Sequence, residues 1–150
     1  MAADAATIHA SAVLVGPKAA LIRGPAGSGK SRLVWDLLQV AESAAVPFAR
    51  LVGDDRLHVA PHAGRLLVRP APELAGMIEI RGLGIRRLPY EPVAAVALVV
   101  DLAADDAIRH PQVTVKTTIG GVCLPRLAVG PGMPALPMLL AFLNTLPAGI

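Results

Sequence analysis

The chain is 150 residues long and 54% hydrophobic, which suits a single domain over residues 1–150 built around one core. Charged residues make up only 17%, too few for a disordered polyelectrolyte, and a net charge of +3 with 3% aromatics argues against nucleic-acid binding. No apolar run approaches the roughly 18 residues of a membrane span, and Met1-Ala2-Ala3-Asp4 lacks the basic and apolar regions of a signal peptide, so the expectation is a soluble cytoplasmic protein with no membrane contact.

Thr7 to Val15 alternates loosely and reads as a strand closed by the turn Gly16-Pro17. Ala19 to Arg23 is a short apolar run that enters a glycine-rich loop. From Lys30 to about Ala44, Leu33, Val34, Leu37, Leu38 and Ala41 recur at helical spacing, and Pro47 closes that helix. Phe48 to Val52 predicts a second apolar strand, ending at Gly53-Asp54-Asp55. Short strands follow over Leu57 to Ala60, Arg65 to Arg69 and Met77 to Ile80, the first two joined by the turn Pro61-His62-Ala63-Gly64. Val93 to Leu102 is the most apolar stretch and predicts a central buried strand. Val113 to Lys116 and Gly121 to Val129 suggest a late hairpin, and Pro134 to Leu146 an apolar helix. The fold class implied is α/β, a P-loop-containing mixed sheet with flanking helices rather than strict βαβ repetition.

Cys123 is the only cysteine, which leaves no internal disulfide and no cysteine-based zinc site. Between Val122 and Leu124 it reads as a buried thiol behaving as a small hydrophobe.

Gly24-Pro25-Ala26-Gly27-Ser28-Gly29-Lys30-Ser31 matches the phosphate-binding pattern G-x-x-x-x-G-K-[ST] at every defined position. It also lies where the physics requires, after a buried strand and before an amphipathic helix. Glycines let backbone N–H groups wrap phosphate oxygens, and the helix N-terminus adds its partial positive charge. In such a loop Lys30 reaches the outer phosphates and the Ser31 hydroxyl coordinates Mg²⁺.

Asp54 and Asp55 follow a strand at the end where α/β sheets collect their ligands. One can hold Mg²⁺, directly or through water, and the other can accept a proton from an attacking hydroxyl. Glu79 alternates with Ile78 and Ile80 and reads as a solvated residue or an inward metal ligand. The stretch Arg81-Gly82-Leu83-Gly84 reads as a tight loop. His9, in an apolar strand, reads on its own as a structural histidine. His58, His62 and His110 fall in polar or turn contexts and are expected to be exposed.

Ile8-His9-Ala10, the phosphate loop, Gly53-Asp54-Asp55 and the string Glu79-Ile80-Arg81-Gly82-Leu83-Gly84-Ile85, in that order, resemble the catalytic domain of HPr kinase/phosphorylase. The similarity runs clearly from His9 to Ile85 and faintly to about Leu127, and resembles the short alphaproteobacterial form that lacks an N-terminal domain. The resemblance implies a phosphoenolpyruvate-carboxykinase-like nucleotide-binding core. It implies an ATP- and Mg²⁺-dependent serine kinase acting on the phosphocarrier HPr, in many members with the reverse phosphorolysis of the phosphoserine. Such enzymes regulate carbohydrate or nitrogen phosphotransferase signalling and assemble as hexamers. By motif, Gly24, Pro25, Ala26, Gly27, Ser28, Gly29, Lys30 and Ser31 would bind ATP, and Ser31 and Glu79 the metal. Asp55 would be the acid/base, supported by Asp54, with His9 near the phosphates and Arg109 matching the family's catalytic arginine. The later Pro-, Gly-, Arg- and Asn-rich loop of the family, tied to phosphorolysis, is replaced here by Leu127-Ala128-Val129-Gly130-Pro131-Gly132. The competing expectation is a nucleotide-sensing P-loop module that binds ATP without transferring its phosphate.

Overall fold

A computed structural model describes residues 6–43, 46, 48–107 and 115–145. Its strands are β1 (Ala6–Ile8), β2 (Ser11–Val15), β3 (Lys18–Arg23), β4 (Ala49–Gly53), β5 (Leu57–His62), β6 (Arg65–Pro70), β7 (Met77–Ile80), β8 (Gly84–Arg87), β9 (Ala94–Leu102), β10 (Lys116–Ile119) and β11 (Val122–Val129). The helices are α1 (Lys30–Glu42) and α2 (Ala135–Asn144).

β9 organises the sheet. The order is β1-β5-β6-β9-β3-β2-β4, with β11 also paired to β9 and β10 to β11; β7 and β8 form a separate hairpin. Most pairings are antiparallel, but β3, β9 and β11 run parallel. β6 meets the first residues of β9 and β11 its last, while β3 runs along the other edge. A strand with neighbours on both edges and packing on both faces needs a nearly unbroken apolar sequence, which Ala94 to Val100 supplies.

Two hydrophobic clusters lie on either side of this sheet. One gathers Val13, Ile22, Leu98, Val100 and Leu102 beneath Leu33, Val34 and Leu37 of α1 and Leu139 of α2, so both helices share a face. The other gathers Ala12, Leu21, Val96 and Val99 with Val52, Leu57, Val59, Leu66 and Val68 from β4, β5 and β6. Alternation along β3 sends Ala20 and Ile22 one way and Ala19 and Leu21 the other.

Several elements differ from expectation for local reasons. The single strand expected over Thr7 to Val15 is two, because β1 pairs with β5 whereas β2 pairs with β3 and β4. The chain changes partners at His9-Ala10, leaving His9 exposed and Ala10 fully buried. Cys123 is exposed rather than buried: it pairs with Thr118 on β10, and the period of two turns Leu124 inward instead. Gly84, expected within the tight loop over Arg81 to Gly84, is the first residue of β8, which pairs with β7. Among the other histidines, His62 is exposed and His58 half-buried. Ala44, Pro47, Val113, Leu146 and His110 lie outside the described residues.

The parallel trio sets the functional end of the molecule. Arg23, Asp101 and Ala128 are aligned across β3, β9 and β11, so the segments following all three strands emerge together. This is the end at which α/β sheets bind ligands.

Candidate active site

The glycine-rich segment lies between β3 and α1, as its pattern requires. Ser28 N–H donates to the Pro25 carbonyl at 3.0 Å, closing the loop's turn, and Leu33 N–H donates to the Gly29 carbonyl at 2.9 Å, opening the helix. Gly27 and Gly29 have φ of 79° and 98°, in the left-handed region, and a Cβ at either would meet nothing within 4 Å. Their lack of a side chain therefore answers a backbone need and keeps the loop's surface open. α1 has no side-chain cap and no acidic residue of its own in the first turn, so its N-terminal N–H groups are left to face the loop. Lys30 Nζ donates to the carbonyls of Gly24 at 2.8 Å and Pro25 at 3.2 Å, and so arches over the loop.

Asp54 is the pivot. It is 4% exposed, immediately beyond β4, and its carboxylate accepts hydrogen bonds from three donors. Ser11 Oγ donates at 2.6 Å, Ser31 Oγ reaches both oxygens at 2.8 Å, and the Glu79 backbone N–H donates at 3.2 Å. Strand β2, the phosphate loop and the β7–β8 hairpin are thus tied to one buried carboxylate. Asp55 next to it behaves oppositely: its side chain is 66% exposed and lies 3.8 Å from Nδ1 of the still more exposed His9. Asp55 also has φ of 70°, a conformation that strains most residues and is seen at functional sites. Glu79 brings its backbone to the site and leaves its side chain exposed. Arg109 lies outside the described residues.

The donor set suits a hard cation bound with its ligand. Mg²⁺ takes one or two protein oxygens and fills its remaining positions with phosphate oxygens and water. The Ser31 hydroxyl and Asp54 carboxylate supply such oxygens, Glu79 is within a strand of them, and no cluster of three His, Cys, Asp or Glu side chains that could hold a metal by itself occurs among the described residues.

A second aspartate needs separating from this set. Asp101 ends an apolar strand beside the phosphate loop, the position where many P-loop proteins carry a metal-binding aspartate. Here arginines hold both its oxygens. Arg23 donates through Nε at 2.7 Å and Nη2 at 2.8 Å, and Arg126 through Nε; the other end of Arg126 grips Asp106 at 2.8 and 3.1 Å. Burial pushes the Asp101 carboxyl up, but the hydrogen bonds and charges of Arg23 and Arg126 outweigh it and hold the group below its ordinary value. The Arg126 guanidinium is held further toward its charged form, chiefly by Asp106. Sequence reasoning passed over Ser11, Arg23, Asp101 and Arg126; only Asp101, a carboxylate closing an apolar strand, carried a local signal.

Comparison with known proteins bears on this geometry. No family model matches the chain. Over 77 residues, 51% of this chain, it is 34% identical to an HPr kinase/phosphorylase of Mycoplasma mycoides subsp. mycoides SC, and the match spans 22% of that protein's length. The structure superposes on the HPr(Ser) kinase/phosphatase of Coxiella burnetii with a TM-score of 0.75, at 23% identity, covering 92% of this chain and 93% of the other. The chain shares the fold of that solved structure. Both comparisons point the same way as the resemblance carried by the motifs. In the terms of that fold, the phosphate loop, the Asp54-Asp55 pair and the β7–β8 hairpin converge on one end of the sheet, and the Arg23-Asp101-Arg126 cluster stands beside them.

Proposed function

We propose that the chain is an ATP- and Mg²⁺-dependent kinase that phosphorylates a serine of an HPr-type phosphocarrier. The observation that carries this is the division of labour between adjacent aspartates. Asp54 is buried and bound to the phosphate-loop hydroxyl of Ser31, whereas Asp55 is exposed and held in a strained conformation beside it. A nucleotide-sensing module has use for the first arrangement but not the second.

The chemistry follows from positions. The amides of Gly27 to Ser31 and the N-terminus of α1 would hold the phosphates, and Lys30 would exchange its two loop carbonyls for phosphate oxygens. Ser31 and Asp54, with Glu79 to complete the set, would hold Mg²⁺, which when bound neutralises charge on the transferring phosphoryl group. Asp55 would orient the acceptor serine and take its proton, which then passes to solvent or to His9. Phosphoryl transfer depends on positioning and charge neutralisation more than on covalent chemistry, and this set supplies both. A phosphocarrier of this kind is a cytoplasmic substrate, so the same proposal places the enzyme there.

The test is direct. Purified chain, MgATP and a recombinant HPr-type phosphocarrier are incubated, and the carrier is read by intact mass with site mapping. A phosphoserine that fails to form with Asp55→Asn, while ATP still binds, is the result expected. Binding of ATP with no transfer by the parent chain would favour the sensing module instead.

A further inference from the structure

We infer that Asp101 is a positioning residue for the nucleotide: gripping Arg23 on one side and Arg126 on the other, it fixes the root of the phosphate loop. This rests on the proposal that the loop binds a nucleotide.

The geometry is continuous from one end to the other. Arg23 and Asp101 are register partners on parallel strands, and the Arg23 guanidinium meets the Asp101 carboxylate through two parallel hydrogen bonds, a planar and directional arrangement. Arg23 is covalently followed by Gly24, the first residue of the loop. Gly24 in turn lies so close to the residue after Asp101 that an added Cβ would stand 3.1 Å from Leu102 Cβ and 2.5 Å from Ser28 Oγ. The Gly24 carbonyl is the nearer of the two acceptors for Lys30. Moving Arg23 therefore moves the first residue of the loop and, until a nucleotide takes Lys30 over, the atoms that hold Lys30.

Arg126 braces the other side. It has Asp106 as a second partner, so it stays anchored when Asp101 is altered. Among the described residues Arg23 has no comparable reserve: besides Asp101, it reaches Thr117 Oγ1 at 3.4 Å. Loss of the Asp101 charge is thus felt mainly at Arg23, on the loop side. Measured against a well-packed apolar pair, a part-buried ion pair adds little net stability, because desolvation offsets its attraction. What this one supplies is a fixed direction at the mouth of the site.

The experiment titrates a fluorescent ATP analogue with Mg²⁺ into the parent chain and into Asp101→Asn, Asp101→Glu, Arg23→Gln and Asp101→Asn/Arg23→Gln. Each is held well below its own melting temperature, with folding checked by circular dichroism. Asp101→Asn is expected to weaken binding about tenfold, Asp101→Glu to recover part of it, and the double variant to be no worse than either single. Binding within twofold of the parent by folded Asp101→Asn, or additive losses in the double variant, would overturn the inference. Should Asp101→Asn not fold, the comparison passes to Asp101→Glu and Arg23→Gln, where parental binding in both has the same meaning. A parent chain that binds no ATP would instead sink the nucleotide proposal itself, and this inference with it.

Discussion

The Ser31 hydroxyl lies 2.8 Å from each carboxylate oxygen of Asp54, joining the last residue of the phosphate loop to the first residue beyond β4. The pairing presents a hydroxyl and a carboxylate side by side, which is the pair of oxygens a magnesium ion uses in phosphate loops. Ser31→Ala and Asp54→Asn should each remove the enhancement of ATP binding by Mg²⁺, by about tenfold or more, while leaving metal-free ATP binding little changed. Since both act through one site, the double variant should bind as the singles do. Titration with and without Mg²⁺ checks this; a full magnesium effect in either single variant would remove that residue from the metal site.

Gly53 illustrates a different kind of constraint on the same carboxylate. A Cβ there would stand 2.5 Å from Leu57 Cδ2, 3.0 Å from Pro70 Cβ and 3.1 Å from Pro70 Cα. The leucine tip can yield, but the proline backbone cannot without moving β6. Gly53→Ala is therefore expected to destabilise the fold by about 1–3 kcal/mol through overpacking, and to disturb Asp54, its neighbour. Urea unfolding measures the first effect. A variant as stable as the parent would mean that β5 and β6 can shift freely past β4.

Asp55 stores strain where the acceptor's proton would go. Its φ of 70° suits glycine or asparagine better than most residues. Stabilities should therefore rank Asp55→Gly and Asp55→Asn at or above Asp55→Ala, with alanine lower by about 1 kcal/mol. All three should abolish phosphoryl transfer. Stability and activity would then move independently, as expected of a residue retained for chemistry. An alanine variant as stable as the glycine one would show that the conformation relaxes, and that no strain is held there.

How much of this was legible beforehand depended on whether the signal was local. The phosphate loop and α1 could be placed because glycine spacing and helical period are read within a few residues, and α1 begins at Lys30 as that period requires. From position alone Asp54 and Asp55 could be picked out as a pair but not told apart; only the family resemblance gave Asp55 the acid/base role and Asp54 the supporting one. The buried setting of Asp54 depends on Ser11, Ser31 and the β7 backbone, all distant in sequence. The Arg23-Asp101-Arg126 cluster was invisible for the same reason, since it exists only through the parallel register of three strands. Cys123 was misplaced because hydrophobic neighbours were weighed as a run, whereas in a paired strand the alternation decides.

That cluster has a signature in acid. The Asp101 carboxyl is raised by burial but lowered more by hydrogen bonds and charge from Arg23 and Arg126, so its folded value lies below its ordinary one. A depressed carboxylate contributes stability that is fully present above the unfolded value, near 3.9, and that is lost as pH falls through the folded one. Between about pH 5 and 8 the stability difference between the parent and Asp101→Asn should thus be constant. Below about pH 4 it should shrink, as the parent's carboxylate takes up the proton that the asparagine variant cannot bind. Arg126 stays charged throughout and adds no slope of its own, because its partners hold it further into the charged form. Urea unfolding of both proteins at pH 7, 5 and 3 is sufficient to see this. A difference that persists undiminished at pH 3 would mean that Asp101 owes its stabilising effect to shape and packing rather than to its charge between the two arginines.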